Sequence, residues 1–185
     1  MDTNTLAGEY SHLDYERSIK KHRLVYKPEG SLIFETVPYY ILLIIVVGLA
    51  FALLYQQITA ARKDPIMIAI VLFVVIWLVS NALLKNYLVK IEGKIIGDYR
   101  KDIPAVMDKF FISYDFVVND DKMMRSFQPV GSPIWGRIIT ILFDGNSMYL
   151  NIITLGRSNS PTWIHSPLNY IKAKRIARYF RKHYC

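Results

Sequence analysis

Two long apolar stretches dominate the hydropathy pattern of the chain. The first covers residues 37–58 and the second residues 65–84, and neither contains Lys, Arg, Asp or Glu. Each is close to the roughly 20 residues that a helix needs to cross about 30 Å of hydrocarbon. Residues 59–64 form a loop so short that the two helices must run antiparallel. The pattern therefore predicts a two-helix transmembrane hairpin with a short external loop.

Three residues inside these stretches are candidates for helix packing. Gly48 and Ala52 are small residues four positions apart, a spacing that lets helix backbones approach closely. Asn81 is a polar side chain late in the second stretch. It is expected either to hydrogen-bond to a neighbouring helix, within this chain or in another copy, or to lie at the level of the lipid headgroups.

The pattern changes after residue 84. Residues 85–101 are predicted to be a basic juxtamembrane connector that extends the second helix. Residues 102–185 are predicted to form a small α+β domain with a helix, a three-stranded antiparallel meander and a final helix. Asp102 before a proline-containing first turn indicates a helix start. Asp144-Gly145, between two apolar runs, is typical of a tight β-hairpin.

Residues 1–36 are polar and are predicted to be partly disordered. Two short apolar runs around Pro28-Glu29-Gly30 suggest a hairpin or an extended lead-in. These runs are expected to pack on the C-terminal domain if both lie on the same side of the membrane. The meander is expected to have one face covered by helices and the other either open, as a place for a partner, or covered by something else.

The charge distribution predicts the orientation in the membrane. The chain carries 23 Lys and Arg against 15 Asp and Glu, a net charge of +8. Basic residues are more frequent on the two flanks than in the loop, which contributes only Arg62 and Lys63. Because cytoplasmic flanks are enriched in Lys and Arg, both termini are predicted to be cytoplasmic. The expected location is the inner cell membrane, with a multi-pass topology.

The final helix is the most basic surface in the sequence. It carries Lys172, Lys174, Arg175, Arg178, Arg181 and Lys182. Beside a membrane such residues attract anionic lipid headgroups, by about 1 kcal/mol each near the surface. A solvated helix face is the simpler explanation. Nucleic acid is not expected as a partner, because no nucleic-acid-binding motif accompanies the patch.

The sequence contains no recognisable constellation for catalysis, a cofactor or a metal. Its four histidines lack cysteine or carboxylate partners at metal-ligand spacing, and the Asp120-Asp121 doublet is typical of a turn rather than of a cation site. The single cysteine, Cys185, cannot form an intrachain disulfide. A ligand or partner pocket is possible around the main hairpin. Its candidate residues are Trp135, Arg137, Arg157 and Trp163, although the two tryptophans alternatively belong to the core.

Two functional hypotheses follow from these features. The first is a non-enzymatic membrane-anchored binding or scaffold component, which contacts anionic headgroups and a protein partner or a second copy of itself. The second is a membrane-embedded sensor or effector. In that hypothesis the basic cytoplasmic domain binds a small anionic, nucleotide-like ligand and reorganises the transmembrane helices. An enzyme acting on lipid or nucleotide has little support.

Overall fold

The computed structural model describes residues 13–27, 30–59, 64–92, 96–112, 114–128, 130–131, 135–156, 161–162 and 164–184. The helices in these ranges are α1 (Tyr15–Lys21), α2 (Gly30–Thr59), α3 (Pro65–Leu84), α4 (Ile96–Phe110) and α5 (Ser166–Tyr184). The strands are β1 (Val89–Glu92), β2 (Phe116–Asn119), β3 (Met123–Gln128), β4 (Gly136–Asp144), β5 (Ser147–Leu155) and β6 (Pro161–Thr162).

The six strands form one antiparallel sheet in the order β1-β5-β4-β3-β2, with β6 also pairing with β5. β4 and β5, nine residues each, are the longest strands. They meet in the tight turn that Asp144-Gly145 predicts, where Gly145 has a φ of 51°. Glycine adopts this left-handed conformation without steric cost. The central hairpin is therefore present where the sequence places it.

β4 and β5 are buried on both faces, which explains why their sequences are almost continuously apolar. On one face, Ile139 and Ile141 of β4 pack in the core formed with α4 and α5. On the other face, Ile138 and Leu142 pack against the N-terminal residues. Side chains alternate between the faces of a strand, so two covering layers require apolar residues at every position. The helical layer contributes Ile103, Val106, Met107, Ala173, Ile176, Ala177 and Phe180.

Residues 13–27, here called the N-terminal segment, cover the second face of the sheet. Leu24 is buried there, and its backbone N–H donates to the carbonyl of Asn86 at 2.7 Å. The N–H of Leu88 donates in turn to the carbonyl of His22 at 2.9 Å. The first of the two predicted apolar runs, which contains Leu24, therefore packs on the domain. The second sheet face is covered by this segment rather than open.

A polar row lies beneath the N-terminal segment. Arg125, Thr140 and Asn151 are direct neighbours on three adjacent strands and are all buried. The Asn151 amide donates to the carbonyl of Tyr87 at 2.8 Å. Arg125 hydrogen-bonds to the hydroxyl of Tyr26, whose pKa is raised because burial outweighs the effect of the guanidinium. The segment thus covers polar as well as apolar side chains.

α3 is a 20-residue helix without a charged residue. Its N-terminus is capped by Asp64, whose carboxylate accepts hydrogen bonds from the N–H groups of Ile66 and Met67 at 3.0 and 3.3 Å. By length and composition it is able to cross a membrane, and little of it is buried within the protein. α3 packs against α2 on one side and, near its C-terminal end, against α5.

The predicted fold class, a two-helix transmembrane hairpin with a small α+β domain of helix, three-stranded meander and helix, is wrong. Among the described residues only α3 is long and apolar enough to be a candidate span. α2 begins at Gly30, and over its described side chains the apolar run is Leu43–Thr59, about 25 Å long at 1.5 Å per residue and so shorter than about 30 Å of hydrocarbon. The sheet has six strands rather than three.

The remaining strands arise where the sequence pattern is weakest. β1 lies within the predicted helical connector, because Val89 and Ile91 are buried by pairing with distant β5. β6 has only two residues and no pattern of its own.

α4 begins at Ile96, six positions before Asp102, and so contains Pro104 within the helix. Asp120 accepts from the N–H groups of Lys122 and Met123 and so forms the predicted turn.

Candidate anion-binding pocket

A cavity of about 110 Å³ lies between the start of β4, the end of β5 and the second turn of α5. Arg137 and Thr154 are opposite each other in the β4–β5 register and lie on the helical side of the sheet. Lys172 reaches the cavity from α5, and Phe111 reaches it from just beyond α4. The lining is Phe111, Trp135, Gly136, Arg137, Ile152, Thr154, Asn169 and Lys172.

Two cations share one aromatic ring in this cavity. The Lys172 ammonium lies 4.0 Å from the centroid of Phe111, and the Arg137 guanidinium carbon lies 5.2 Å from it. Both distances fall within the range of cation–π attraction. The ring partly compensates each charge for lost hydration, and it holds both cationic groups at the same cavity.

The cations are not neutralised within the lining, which contains no carboxylate. Burial lowers the pKa of Arg137, which nevertheless stays protonated. Burial, together with the Arg137 charge, lowers the pKa of Lys172 from 10.5 to about 8. The side chains are thus placed where their charged forms cost free energy unless an anion compensates them.

Neutral polar groups complete the wall opposite Phe111. The Thr154 hydroxyl donates to Oδ1 of Asn169 at 3.1 Å. This bond occupies the carbonyl end of Asn169 and turns its amide NH₂ away from Thr154. Asn169 lies three residues before Lys172, so both side chains project from the same face of α5.

The rim of the pocket is formed by Trp135, which is 52% exposed. Its ring contacts the imidazole of His165 at a centroid distance of 5.2 Å. The Thr162 hydroxyl donates to the carbonyl of Thr154 at 3.1 Å and lies 3.2 Å from Nδ1 of His165. Since that hydroxyl has a single proton, His165 carries hydrogen on Nδ1 and donates it to Thr162.

Gly136 fixes the approach to the rim. A Cβ atom at this position would lie 2.8 Å from the backbone nitrogen of Val130 and 2.9 Å from the carbonyl oxygen of Gln128. Only a residue without a side chain permits this contact between β4 and the chain that precedes it. Gly136 therefore determines where its neighbours, Trp135 and Arg137, leave the sheet.

The structure brings together part of the predicted pocket. Trp135 and Arg137 both line the cavity. Arg157 and Trp163 lie outside the described residues. Phe111, Thr154 and Asn169 were not predicted, since each is an ordinary residue of a separate element and only the fold brings them together. Lys172, predicted to contact either the membrane surface or an anion, lines this cavity.

The other basic residues of α5 fall into two groups. Lys174, Arg178 and Arg181 line a second, larger depression near the end of α3. Arg175 and Lys182 are exposed and contribute to neither cavity. The basic helix therefore presents at least two different surfaces.

The predicted helix-packing residues have different environments. Asn81 is fully buried where α3 meets α5. Its amide donates to the carbonyl of Trp77 at 2.8 Å, and its Oδ1 accepts from the N–H of Ser166 at 3.1 Å. Gly48 has nothing within 4 Å of its Cβ position and Ala52 is exposed. Close approach of another helix at that pair stays a prediction.

The pocket is suited to binding an anion through charge and hydrogen bonds. The described lining of the cavity includes no cysteine, serine or carboxylate. Over the described residues, no group of three or more His, Cys, Asp and Glu side chains is arranged to hold a metal ion. No protein-family model, curated protein or solved structure matches the chain.

Proposed function

We propose that this chain is a non-enzymatic anion-binding protein whose pocket is coupled to the apolar helix α3. The observation that carries the proposal is the pair Arg137 and Lys172, placed around one phenyl ring with no carboxylate in the lining. Buried or partly buried cations without a counterion are rare in structural roles, because desolvation disfavours their charged forms.

The size of the cavity indicates the class of ligand. Its 110 Å³ is several times the roughly 10–15 Å³ that one water molecule requires on the same measure, so it has room for one phosphoryl or carboxylate group. The rest of a larger ligand would extend past Trp135, whose exposed ring provides a surface for stacking. An aromatic phosphate is therefore expected to bind more tightly than phosphate alone.

The contact at Asn81 supports coupling between the pocket and α3. Asn81 accepts the N–H of Ser166, the first residue of α5, whose second turn carries Lys172. A ligand that pulls Lys172 and Arg137 together acts on the same helix whose start is held by α3. This supports the sensor hypothesis, in which ligand binding alters the arrangement of the apolar helices.

Insertion of α3 in a bilayer is part of the proposal. Its apolar residues are exposed over most of its length, and they require an apolar surrounding. A cytoplasmic location stays a prediction from the flanking charges.

The binding proposal is tested by isothermal titration calorimetry of the full chain in detergent, with inorganic phosphate and phenyl phosphate as probes. Arg137→Gln and Lys172→Gln should each weaken binding about tenfold or more, because a charged hydrogen bond contributes about 1.5–3 kcal/mol. Lys174→Gln is the matched control, since Lys174 also lies over an aromatic ring, Tyr170, but outside this cavity. Equal binding by all variants would contradict the proposal.

The scaffold hypothesis, with a protein partner or a second copy, is less well supported. Its motivation was an open sheet face, and both faces of the central strands are covered. It stays a prediction that a partner recovered in stoichiometric amount with the full chain would support.

A further inference from the structure

A second depression, of about 410 Å³, lies where α3 joins the sheet. We propose that this groove binds the headgroup of an anionic phospholipid from the membrane that α3 enters. Its lining is His22, Tyr87, Leu88, Val89, Lys90, Tyr170, Lys174, Arg178 and Arg181. The inference rests on the proposed insertion of α3 and is independent of the pocket around Lys172.

The position of the groove follows from the chain path. Tyr87 and Leu88 lie three and four residues beyond Leu84, the last residue of α3. Even a fully extended chain covers only about 3.5 Å per residue, so the part of the groove lined by Tyr87 and Leu88 lies within about 14 Å of the helix end. With α3 in the hydrocarbon, the groove is therefore at the depth of the headgroups, which are several ångströms thick on each side of the core.

The chemistry of the lining suits a phosphate ester. Four cationic side chains line the groove, namely Lys90, Lys174, Arg178 and Arg181, and its lining includes no carboxylate. Outside the lining, Glu92 is bound to the Lys90 ammonium at 2.7 Å. This pairing leaves the three cations of α5 as the principal charges available to a ligand.

Aromatic rings line the same groove at the expected membrane surface. Tyr87 is 37% exposed and packs edge-to-face on Tyr170 at 5.3 Å. Tyrosine is favoured at bilayer interfaces, because its ring enters the apolar region and its hydroxyl remains in water. The centroid of the Tyr170 ring also lies 4.8 Å from the Lys174 ammonium, so α5 presents an aromatic ring and a positive charge side by side.

A lipid explains the groove better than a soluble anion. The cationic groups of Arg178 and Arg181 are exposed, and a freely dissolved ion gains little from exposed charges in water. A lipid headgroup is held at this place by its own acyl chains, so its effective concentration is high. A hydrogen bond from each of Arg178 and Arg181 to the headgroup phosphate contributes about 1 kcal/mol, so the two together are worth about thirtyfold in lipid selectivity.

The test is native mass spectrometry of the full chain released from nanodiscs. The discs contain phosphatidylcholine alone or phosphatidylcholine mixed with phosphatidylglycerol. Wild type should retain phosphatidylglycerol preferentially, and Arg178→Gln/Arg181→Gln should reduce that preference about thirtyfold. The matched control is Arg175→Gln/Lys182→Gln, which removes the same charge from exposed positions of the same helix outside the groove. It should reduce the preference at most severalfold.

Three results would overturn the inference, and they are distinguishable. An equal loss in both double variants would show diffuse attraction rather than a site. Release of the bound lipid by inorganic phosphate would identify a soluble anion as the ligand. Failure of the chain to enter discs of either composition would contradict the insertion of α3 and with it this inference, while leaving phosphate binding by Lys172 intact.

Discussion

At the scale of single residues, Phe111 explains why two like charges occupy one small cavity. An ammonium and a guanidinium repel each other, and burial adds a further cost to each. The ring between them offers cation–π attraction on the order of 1 kcal/mol to each cation. The part of the desolvation and repulsion cost that the ring does not offset favours binding of an anion. The two charges therefore destabilise the empty pocket and stabilise the occupied one.

Anion affinity should fall as the pH rises through about 8. Lys172 loses its proton near this pH, because burial and Arg137 lower its pKa from 10.5. A bound anion favours the charged lysine and so moves the midpoint upward. Calorimetry with phenyl phosphate between about pH 7 and about pH 10 should show this fall in wild type. Lys172→Gln should bind more weakly and lose that step, and a step of the same size in the variant would assign the titration to another group.

The same lysine should make the ligand-free protein more stable as the pH rises from about 8 toward 10.5. In this window the unfolded chain holds the Lys172 proton and the native chain releases it, so stability increases with pH. Lys172→Met should therefore raise the melting temperature at pH 7 and remove this increment. Thermal denaturation across the window measures both effects. A lower melting temperature in the variant would show that the lysine stabilises the empty fold.

Gly136→Ala should destabilise the protein by about 1–3 kcal/mol, the usual cost of forcing atoms into a packed site. The added Cβ would meet backbone atoms at 2.8 and 2.9 Å, which have no rotamer to escape to. Gly131→Ala is the control, because nothing lies within 4 Å of its Cβ position. Chemical denaturation compares the two variants, and equal stabilities would contradict the close contact.

At the scale of elements, the junction of α3 and α5 depends on one amide. Asn81 donates to its own helix and accepts from the first residue of the next, so a single side chain joins an apolar helix to the sheet domain. The N–H groups of a first helical turn have no partner in their own helix, and a side-chain acceptor satisfies one of them. This explains why an amide is buried at the end of an otherwise apolar helix.

Asn81→Ala should cost about 1–2 kcal/mol of stability, the range measured when a helix loses its cap. It should also uncouple α3 from the pocket. Hydrogen exchange reports both effects: phenyl phosphate should slow exchange in the last turn of α3 in wild type but not in the variant. Asn81→Asp retains the acceptor for Ser166 and should restore part of both effects. Coupling that survives in Asn81→Ala would place its route elsewhere.

At the scale of the whole molecule, the N-terminal segment makes the sheet a three-layer structure. The hydroxyl of Tyr26 reaches Arg125 in the central strands, and Leu24 fills the apolar part of the same face. The two ends of the chain thus cover opposite faces of one sheet. The N-terminal segment is separated in sequence from the strands that it covers by the two long helices α2 and α3.

Tyr26→Phe should destabilise the domain by about 1–3 kcal/mol, because it removes an acceptor from a buried guanidinium while keeping the ring. Tyr55→Phe is the matched control, since Tyr55 is 71% exposed on α2. Urea denaturation monitored by circular dichroism compares the two variants. An unchanged Tyr26→Phe protein would mean that Arg125 relies on its other surroundings.

The features that the sequence predicts correctly are those formed by residues close together in the chain. The Asp144-Gly145 turn and the final helix need only their own residues to be recognised. β1 was predicted as helix because Val89 and Ile91 become strand only by pairing with β5, about sixty residues away. Of the anion pocket, Trp135 and Arg137 were found from their place beside the hairpin. Phe111 and Lys172 required the tertiary packing, which no local pattern records.

The pairing of the N-terminal segment with the sheet also dictates an order of events during synthesis. The Tyr15 hydroxyl bonds to the carbonyl of Phe143, 128 positions later, so residues 13–27 leave the ribosome long before their binding surface exists. Contacts of such sequence separation form slowly, because the chain entropy of closing so large a loop must be lost first. The nascent chain thus holds an unpaired apolar segment until its last strands are complete.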